Sequence, residues 1–451
     1  MSSLSLPPGP KTKFAAGVFL ELRRDPLGFL LRAARQYGDV CHLQLGPRHN
    51  YLVNNPEDIK NILVAPQGMA RSNHPSIKRL LGKGLITSQG EFHRRHRRLV
   101  QPAFHKAQIA AWGREMSAEG ERTSSRWKDG GVIEVGEEMS RATLAVIVKT
   151  MVSTDIEDST GRRLGEAWST VIGTSHLHKI PFLDELLLKL PLPRTRRIEK
   201  GLRYLNETIY AMIAERRNRG LEKPDLLSIL LRVRDAEGDA AGLADEEIRD
   251  EILTMFTAGH ETISSALTWT WHLLSLHPEV EAALHAEVDG VLEGGRAPGV
   301  DDLPRLPYTR MVLAESMRIY PPVWIIARRN VEDCQLGEHL VPAGSFLYLS
   351  QYVVHHDARY YPDPDRFDPT RWTPEGIASR PKYSYFPFGG GGRQCIGEGY
   401  AWTEGVLLLA LLAQRWRLEP VPGQRIDIDP VITLRPKHGL RMTTHARHGA
   451  N

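Results

Sequence analysis

The chain has 451 residues, 41% hydrophobic and 25% charged, the composition of a globular protein able to bury a large core. With 58 Lys+Arg against 54 Asp+Glu the formal charge is +4, too near balance to point to nucleic acid. Three scattered cysteines, Cys41, Cys334 and Cys395, make a poor disulfide framework and fit a reducing, cytoplasmic setting.

In chain order, residues 1–24 read as an N-terminal extension. It opens MSSLSLPPGPKTKF, and its apolar segment from Phe14 to Leu20 is cut short by Glu21, Arg23 and Arg24, so it is neither a signal peptide nor a span. Alternation over Val40–Leu45 and Tyr51–Val53, around Gly-Pro-Arg-His-Asn, predicts a β-hairpin, and Asn55-Pro56-Glu57 predicts a helix cap. From about residue 90 to 320 the apolar period is helical, broken by polar loops near 217 to 224, 234 to 244 and 293 to 304. Short strands are expected from Val331 to Val354, an irregular Pro- and Asp-rich region through Trp372, and helix again after Gly397. The longest apolar run, Gly405 to Ala413, is about half of the roughly 18 residues a span needs, so no transmembrane anchor is expected. The whole predicts a mainly α fold with small β-sheets (α+β), as one domain over residues 1–451.

Cys395 stands behind four consecutive glycines and ahead of an apolar helix. Such glycines let backbone approach something flat and bulky. A thiolate at a helix start is stabilised by the dipole and by unpaired N–H groups, which predicts a lowered thiol pKa and use as a ligand. In other surroundings a lone cysteine is a small buried hydrophobe. Here Phe388, Gly391, Arg393, Cys395 and Gly397 fit Phe-x-x-Gly-x-Arg-x-Cys-x-Gly, the signature of the cytochrome P450 superfamily, which the sequence resembles over about residues 25 to 445. The resemblance implies haem b held between a long central helix and the cysteine loop, with Cys395 as axial ligand of the iron and Arg393 on a propionate. It also implies Phe388 over the thiolate and N–H groups near the sulfur, at Gly397 among others, that tune the iron potential.

Asp245 to Leu276 predicts a single long helix with an Asp cap and an acidic first turn, about 45 Å in length. An acid and a hydroxyl beside a helical glycine are costly in an apolar stretch unless they act; a wetted face is the alternative. Ala258-Gly259-His260-Glu261-Thr262 resembles the family's oxygen-activating motif, which implies Glu261 and Thr262 as the catalytic pair delivering protons beside a space for dioxygen. His260, turned away by helical geometry, is read as a bystander.

Glu315 and Arg318 share a helix face, commonplace by itself. With the later Phe367-Asp-Pro-Thr-Arg371, the resemblance implies a structural triad of Glu315, Arg318 and Arg371 that holds the cysteine loop. In His93-Arg-Arg-His-Arg-Arg98, His93 and Arg97 lie four apart and can reach the same carboxylates. The family places an arginine at Arg97 on a propionate but usually has Trp at His93, and it implies a further propionate contact from Arg328. Arg94, Arg95 and Arg98 face elsewhere and are expected to meet an acidic electron donor.

Substrate contacts implied by the resemblance fall near Ser72 to Leu85, His176 to Leu192, Phe256 and Ala258, Val323 to Ile326, and Ile432-Thr433. These are mostly aliphatic and aromatic, although many are equally core residues, and they point to a lipophilic substrate: a terpenoid, fatty acid, steroid or carotenoid. Ala258 to Leu273 and Tyr320 to Arg329 look like bacterial terpenoid and carotenoid hydroxylases. The implied activity is that of a haem-thiolate monooxygenase hydroxylating or epoxidising such a molecule with O2. Two electrons would come from NAD(P)H through a ferredoxin or flavodoxin and its reductase, since no fused reductase is seen. The rivals are a peroxygenase or isomerase on the same fold, against which Glu261-Thr262 argues, and a non-catalytic haem sensor or carrier.

Overall fold

A computed structural model describes residues 6–11, 17–45, 48–65, 69–71, 75–175, 192–235 and 241–447. The described part of the N-terminal extension is docked rather than free: the Pro8 carbonyl accepts from the His42 amide at 3.0 Å, and α1 (Gly17–Arg24) buries Val18. Asp25 then caps α2 (Pro26–Tyr37) by accepting from the Gly28 amide. The expected hairpin forms from β1 (Val40–Leu45) and β2 (Arg48–Val53), antiparallel with Val40 opposite Val53; its turn residues Gly46 and Pro47 lie outside the described residues. Asn55 caps α3 (Pro56–Val64) as predicted, its side chain accepting from the Glu57 and Asp58 amides.

Strands β1 and β2 continue into a sheet of order β1-β2-β8-β5-β3, where β3 is Met69–Arg71, β5 is Ile326–Asn330 and β8 is Phe346–Leu349. Smaller sheets pair β4 (Val132–Glu134), β12 (Arg441–Ala446) and β9 (Trp416–Pro420), then β6 (Cys334–Leu336) with β7 (His339–Val341), and β10 (Ile428–Pro430) with β11 (Leu434–Pro436). The strand prediction over 331–354 fails at its end. There Ser350 accepts from the Val353 amide and starts a short helix, Gln351–His355.

The helical body runs through α4 (Pro75–Leu81), α5 (Gly90–Val100), α6 (Lys106–Arg126), α7 (Val135–Val152), α8 (Ser159–Ser175), α9 (Pro193–Arg219) and α10 (Leu226–Arg232) to the central helix α11 (Asp245–Leu276). It closes with α12 (Pro278–Val291), α13 (Pro307–Ile319), α14 (Gln351–His355), α15 (Pro374–Ala378) and α16 (Glu398–Arg415). The run Val406–Ala413 is buried along the whole of its length, so α16 is a core helix. Among the described residues no helix is long and apolar enough to cross a membrane. The mainly α, α+β architecture is the one expected.

The start of α11 differs in detail. The cap position is Ala244, which has no side-chain acceptor; Glu247 instead reaches back to its amide at 2.8 Å. One turn further, buried Asp250 and Glu251 accept from the Lys83 and Leu85 amides, and His96 of α5 bonds Glu251 at 2.8 Å and Glu247 at 3.0 Å. These bonds tie α5 and the 82–88 loop to the central helix. They also correct the reading of the basic run. Arg95 and Arg98 are engaged inside the protein, with Asp235 and Glu247, and Arg94 pairs with Glu91.

Candidate active site

A cavity of about 1590 Å3 lies between the middle of α11 and the cysteine loop. That exceeds the roughly 300–1,000 Å3 of an ordinary ligand pocket. Met255, Ala258, Gly259, Thr262 and Ala266 form the α11 wall, spaced as one face of a helix. Val323, Ile326 and Leu202 add apolar surface. Phe256 is a correction: it is buried off this face, its ring 5.8 Å from Trp168, because one residue along a helix turns the side chain by about 100°. Of the other expected contacts, Ile77, Leu80, Leu81, Leu85, Ile432 and Thr433 reach the cavity, whereas Ser72 to His74 and His176 to Pro191 lie outside the described residues.

Opposite α11, the loop folds so that the Cys395 amide donates to the Phe388 carbonyl at 2.9 Å, and both residues face the cavity with Gly397. Gly391 holds φ +62°, and a Cβ there would come within 2.1 Å of the Leu63 carbonyl, so only glycine lets the loop seat on the end of α3. Cys395 is crowded by surrounding atoms yet solvent-exposed, and it lines the cavity. The expected lowering of its thiol is not found. Burial pushes the free thiol up to about 11, outweighing the Gly397 N–H and Arg97, which favour the thiolate. A coordinating metal deprotonates a thiol outright, so ligation does not need the helix terminus to do so alone.

The loop rests on a buried ionic scaffold. Arg318 donates to both Glu315 oxygens at 2.8 and 2.9 Å, and Arg371 Nε lies 3.3 Å from Glu315 Oε1. The Trp372 indole N–H and the Asp368 amide complete the Glu315 carboxylate. Arg318 also donates to the His355 carbonyl, and His355 Nε2 accepts from the Phe386 amide at 3.2 Å, at the mouth of the cysteine loop. Burial keeps His355 neutral, the state in which Nε2 can accept. Glu315, Arg318 and Arg371 are thus linked to the loop through His355.

His93, Arg97, Arg328 and Arg393 all reach the cavity wall. Arg97 donates to the Gln394 carbonyl at 2.8 Å, Arg393 to the Leu85 carbonyl at 3.4 Å, and Arg328 to the Ala327 carbonyl at 3.1 Å. Guanidinium groups gathered on one cavity suit a guest bearing carboxylates. A thiol aimed into a broad apolar cavity, with cations for two carboxylates, is a donor set that fits a haem.

On the α11 side, Thr262 donates its hydroxyl to the Ala258 carbonyl at 2.7 Å, so toward the cavity it presents an acceptor oxygen. Glu261 also lines the cavity. His260 does not. Its Nε2 bonds Ser140, its Nδ1 accepts from Trp168, and burial lowers its pKa, as befits a neutral structural histidine.

Residues 7–441 match the family described as Cytochrome P450. The chain belongs to the cytochrome P450 family. It is 41% identical over 422 residues to cyclooctatin synthase of Streptomyces melanosporofaciens, covering 93% of this chain and 91% of that one. To pentalenene oxygenase of Streptomyces avermitilis it is 35% identical over 424 residues, with 94% and 93% covered. Among solved structures it superposes on the heme domain of cytochrome P450DA with a TM-score of 0.87, 26% identity and 99% and 98% coverage. On cyanobacterial CYP120A1 with retinoic acid bound the TM-score is 0.87, with 26% identity and 99% and 100% coverage.

As a cytochrome P450, the protein is a haem-thiolate monooxygenase. Two features of this P450 escaped sequence reasoning. His355 has no motif around it, and its place under the loop depends on packing alone. Ile198 and Leu202 of α9 line the cavity, although their helical spacing is that of any core face.

Proposed function

We propose that this P450 hydroxylates or epoxidises a lipophilic terpenoid, using O2 and two electrons from NAD(P)H delivered by a ferredoxin or flavodoxin with its reductase. The observation that carries the reading is that Cys395 and the Glu261-Thr262 pair line one cavity from opposite sides, with apolar residues between. The terpenoid class is supported by the names of the relatives, cyclooctatin synthase and pentalenene oxygenase. We read it as a cytoplasmic single-domain enzyme, since three scattered cysteines suit a reducing compartment.

In this reading haem b, bound through Cys395, supplies the activation of dioxygen. The chain's own residues do the rest. Arg97, Arg328 and Arg393, with His93 beside them, would hold the two propionates. Phe388 and the Gly397 N–H shield the sulfur and bond it, keeping water off and setting its donor strength. Ala258, Val323 and Ile326 bury the substrate and exclude bulk water. Glu261 carries protons inward from solvent, and Thr262 orients them through its acceptor oxygen.

Cys395→Ser should lose the red-shifted carbon monoxide band of the reduced protein, and an unchanged band would remove the ligand assignment. Thr262→Ala should release peroxide in place of product; equal product yield per NAD(P)H in the variant would refute its role. A spectral screen of cyclic terpenes, read as displacement of the iron's sixth ligand, tests the substrate class, and binding of long-chain fatty acids alone would overturn it.

A further inference from the structure

We propose that Thr433 is a positioning residue for the acid of the proton-delivery pair, holding the Glu261 carboxyl from a strand hairpin rather than from its own helix. The inference rests on the reading of Glu261 as that acid. Thr433 Oγ1 donates to Glu261 Oε1 at 2.7 Å, and Thr433 is 2% exposed. Both residues line the cavity.

The hydroxyl arrives there on a clamped segment. Glu261, Ser265 and Trp269 follow each other at every fourth position and so form a stripe on α11. Ser265 Oγ and Trp269 Nε1 both donate to the Leu434 carbonyl, the latter at 3.0 Å. The Leu434 amide donates to the Pro322 carbonyl at 3.1 Å, and Trp324 Nε1 donates to the Val431 carbonyl at 3.1 Å. Residues 431–433, between β10 and β11, are therefore fixed on both sides of Thr433, at Val431 and at Leu434, and the Trp269 ring is in turn stacked 4.0 Å from Tyr320. A glutamate side chain has three rotatable bonds and samples many rotamers when unheld. A donor at fixed register selects one of them, and a hydroxyl facing a carboxylate makes a charge-assisted bond.

The same segment walls the cavity. Val431 and Ile432 line it immediately before Thr433. A guest pressing on these two residues bears on the stretch of backbone whose next side chain holds the acid. Thr433 keeps its own proton throughout; the group that gives and regains one is Glu261.

The test compares Thr433→Val, which keeps the shape but removes the donor, with Thr433→Ser, which keeps the donor. Each is made in the natural chain and on Glu261→Gln. The readouts are the C–O stretching band of the reduced carbon monoxide complex of the haem-loaded protein, and the crystal structure of each variant. The expected results are a shifted band and a displaced Glu261 carboxyl in Thr433→Val, neither in Thr433→Ser, and no further band shift from Thr433→Val on Glu261→Gln. Should Thr433→Val load haem poorly, Thr433→Ala against Thr433→Ser provides the same contrast. An unshifted band with Glu261 in place in Thr433→Val, while Glu261→Gln shifts the band, overturns the positioning role alone. Equal shifts in the Val and Ser variants also overturn it, since packing would then explain both. A band unmoved by Glu261→Gln removes Glu261 from the reading, and Thr433 with it.

Discussion

Glu404 is a fully buried carboxyl on α16, and neither of its oxygens has a hydrogen-bond partner among the described residues. Burial therefore pushes it well above the ordinary carboxylate range. An acid whose folded pKa is raised holds its proton in the native state after the unfolded chain has lost it, so stability falls as pH rises above about 4.5. Glu404→Gln should remove that fall. The variant's advantage over the natural protein should grow by up to about 1.4 kcal/mol per pH unit from pH 5 upward, as read by thermal unfolding at several pH values. An advantage that stays constant with pH would mean that the carboxyl finds a partner.

Among the elements, α5 and α11 are joined by a histidine between two glutamates. His96 is wholly buried, and against the cost of that burial Glu251 and Glu247 hold its pKa up. A raised histidine contributes stability that is complete below about pH 6.5 and is lost as pH rises through the folded value. His96→Leu should cost about 3 kcal/mol near pH 6, because it leaves the fully buried Glu251 without its imidazole partner, and less at pH 9. A cost independent of pH would assign His96 to packing alone. The extent of α11 was legible in the sequence because apolar period and acidic first turn are local signals, and Cys395, Arg393 and Thr262 were legible because their neighbours are. What surrounds them was not. Asp235 meets Arg98 across 137 positions, so a run that reads as free cations is an internal clamp. Likewise the sequence shows a helix start after Cys395 but not how many atoms of the fold crowd around the thiol, which decides the sign of its shift.

For the molecule as a whole, the clamp on Arg95 and Arg98 moves the expected docking of an acidic donor away from these two side chains. Arg98→Gln should lower stability by about 2 kcal/mol, since Asp235, 3% exposed, loses its strongest partner, while leaving the KM for a ferredoxin unchanged within about twofold. A large rise in that KM with intact stability would restore Arg98 to the partner surface. The central helix has one more consequence, for where chain length can vary. It is secured near its start through Asp250 and Glu251 and toward its end through Ser265 and Trp269, with Glu261 and Thr262 between. Adding or deleting a single residue between these anchors would rotate everything beyond it by about 100° relative to everything before it. One end or the other would then miss its partners. Natural and engineered insertions should thus gather in the loops near 220–224 and 296–299, where closure entropy grows only slowly with length. Residues 250–269 should behave as a ruler that accepts substitution but not a change of count.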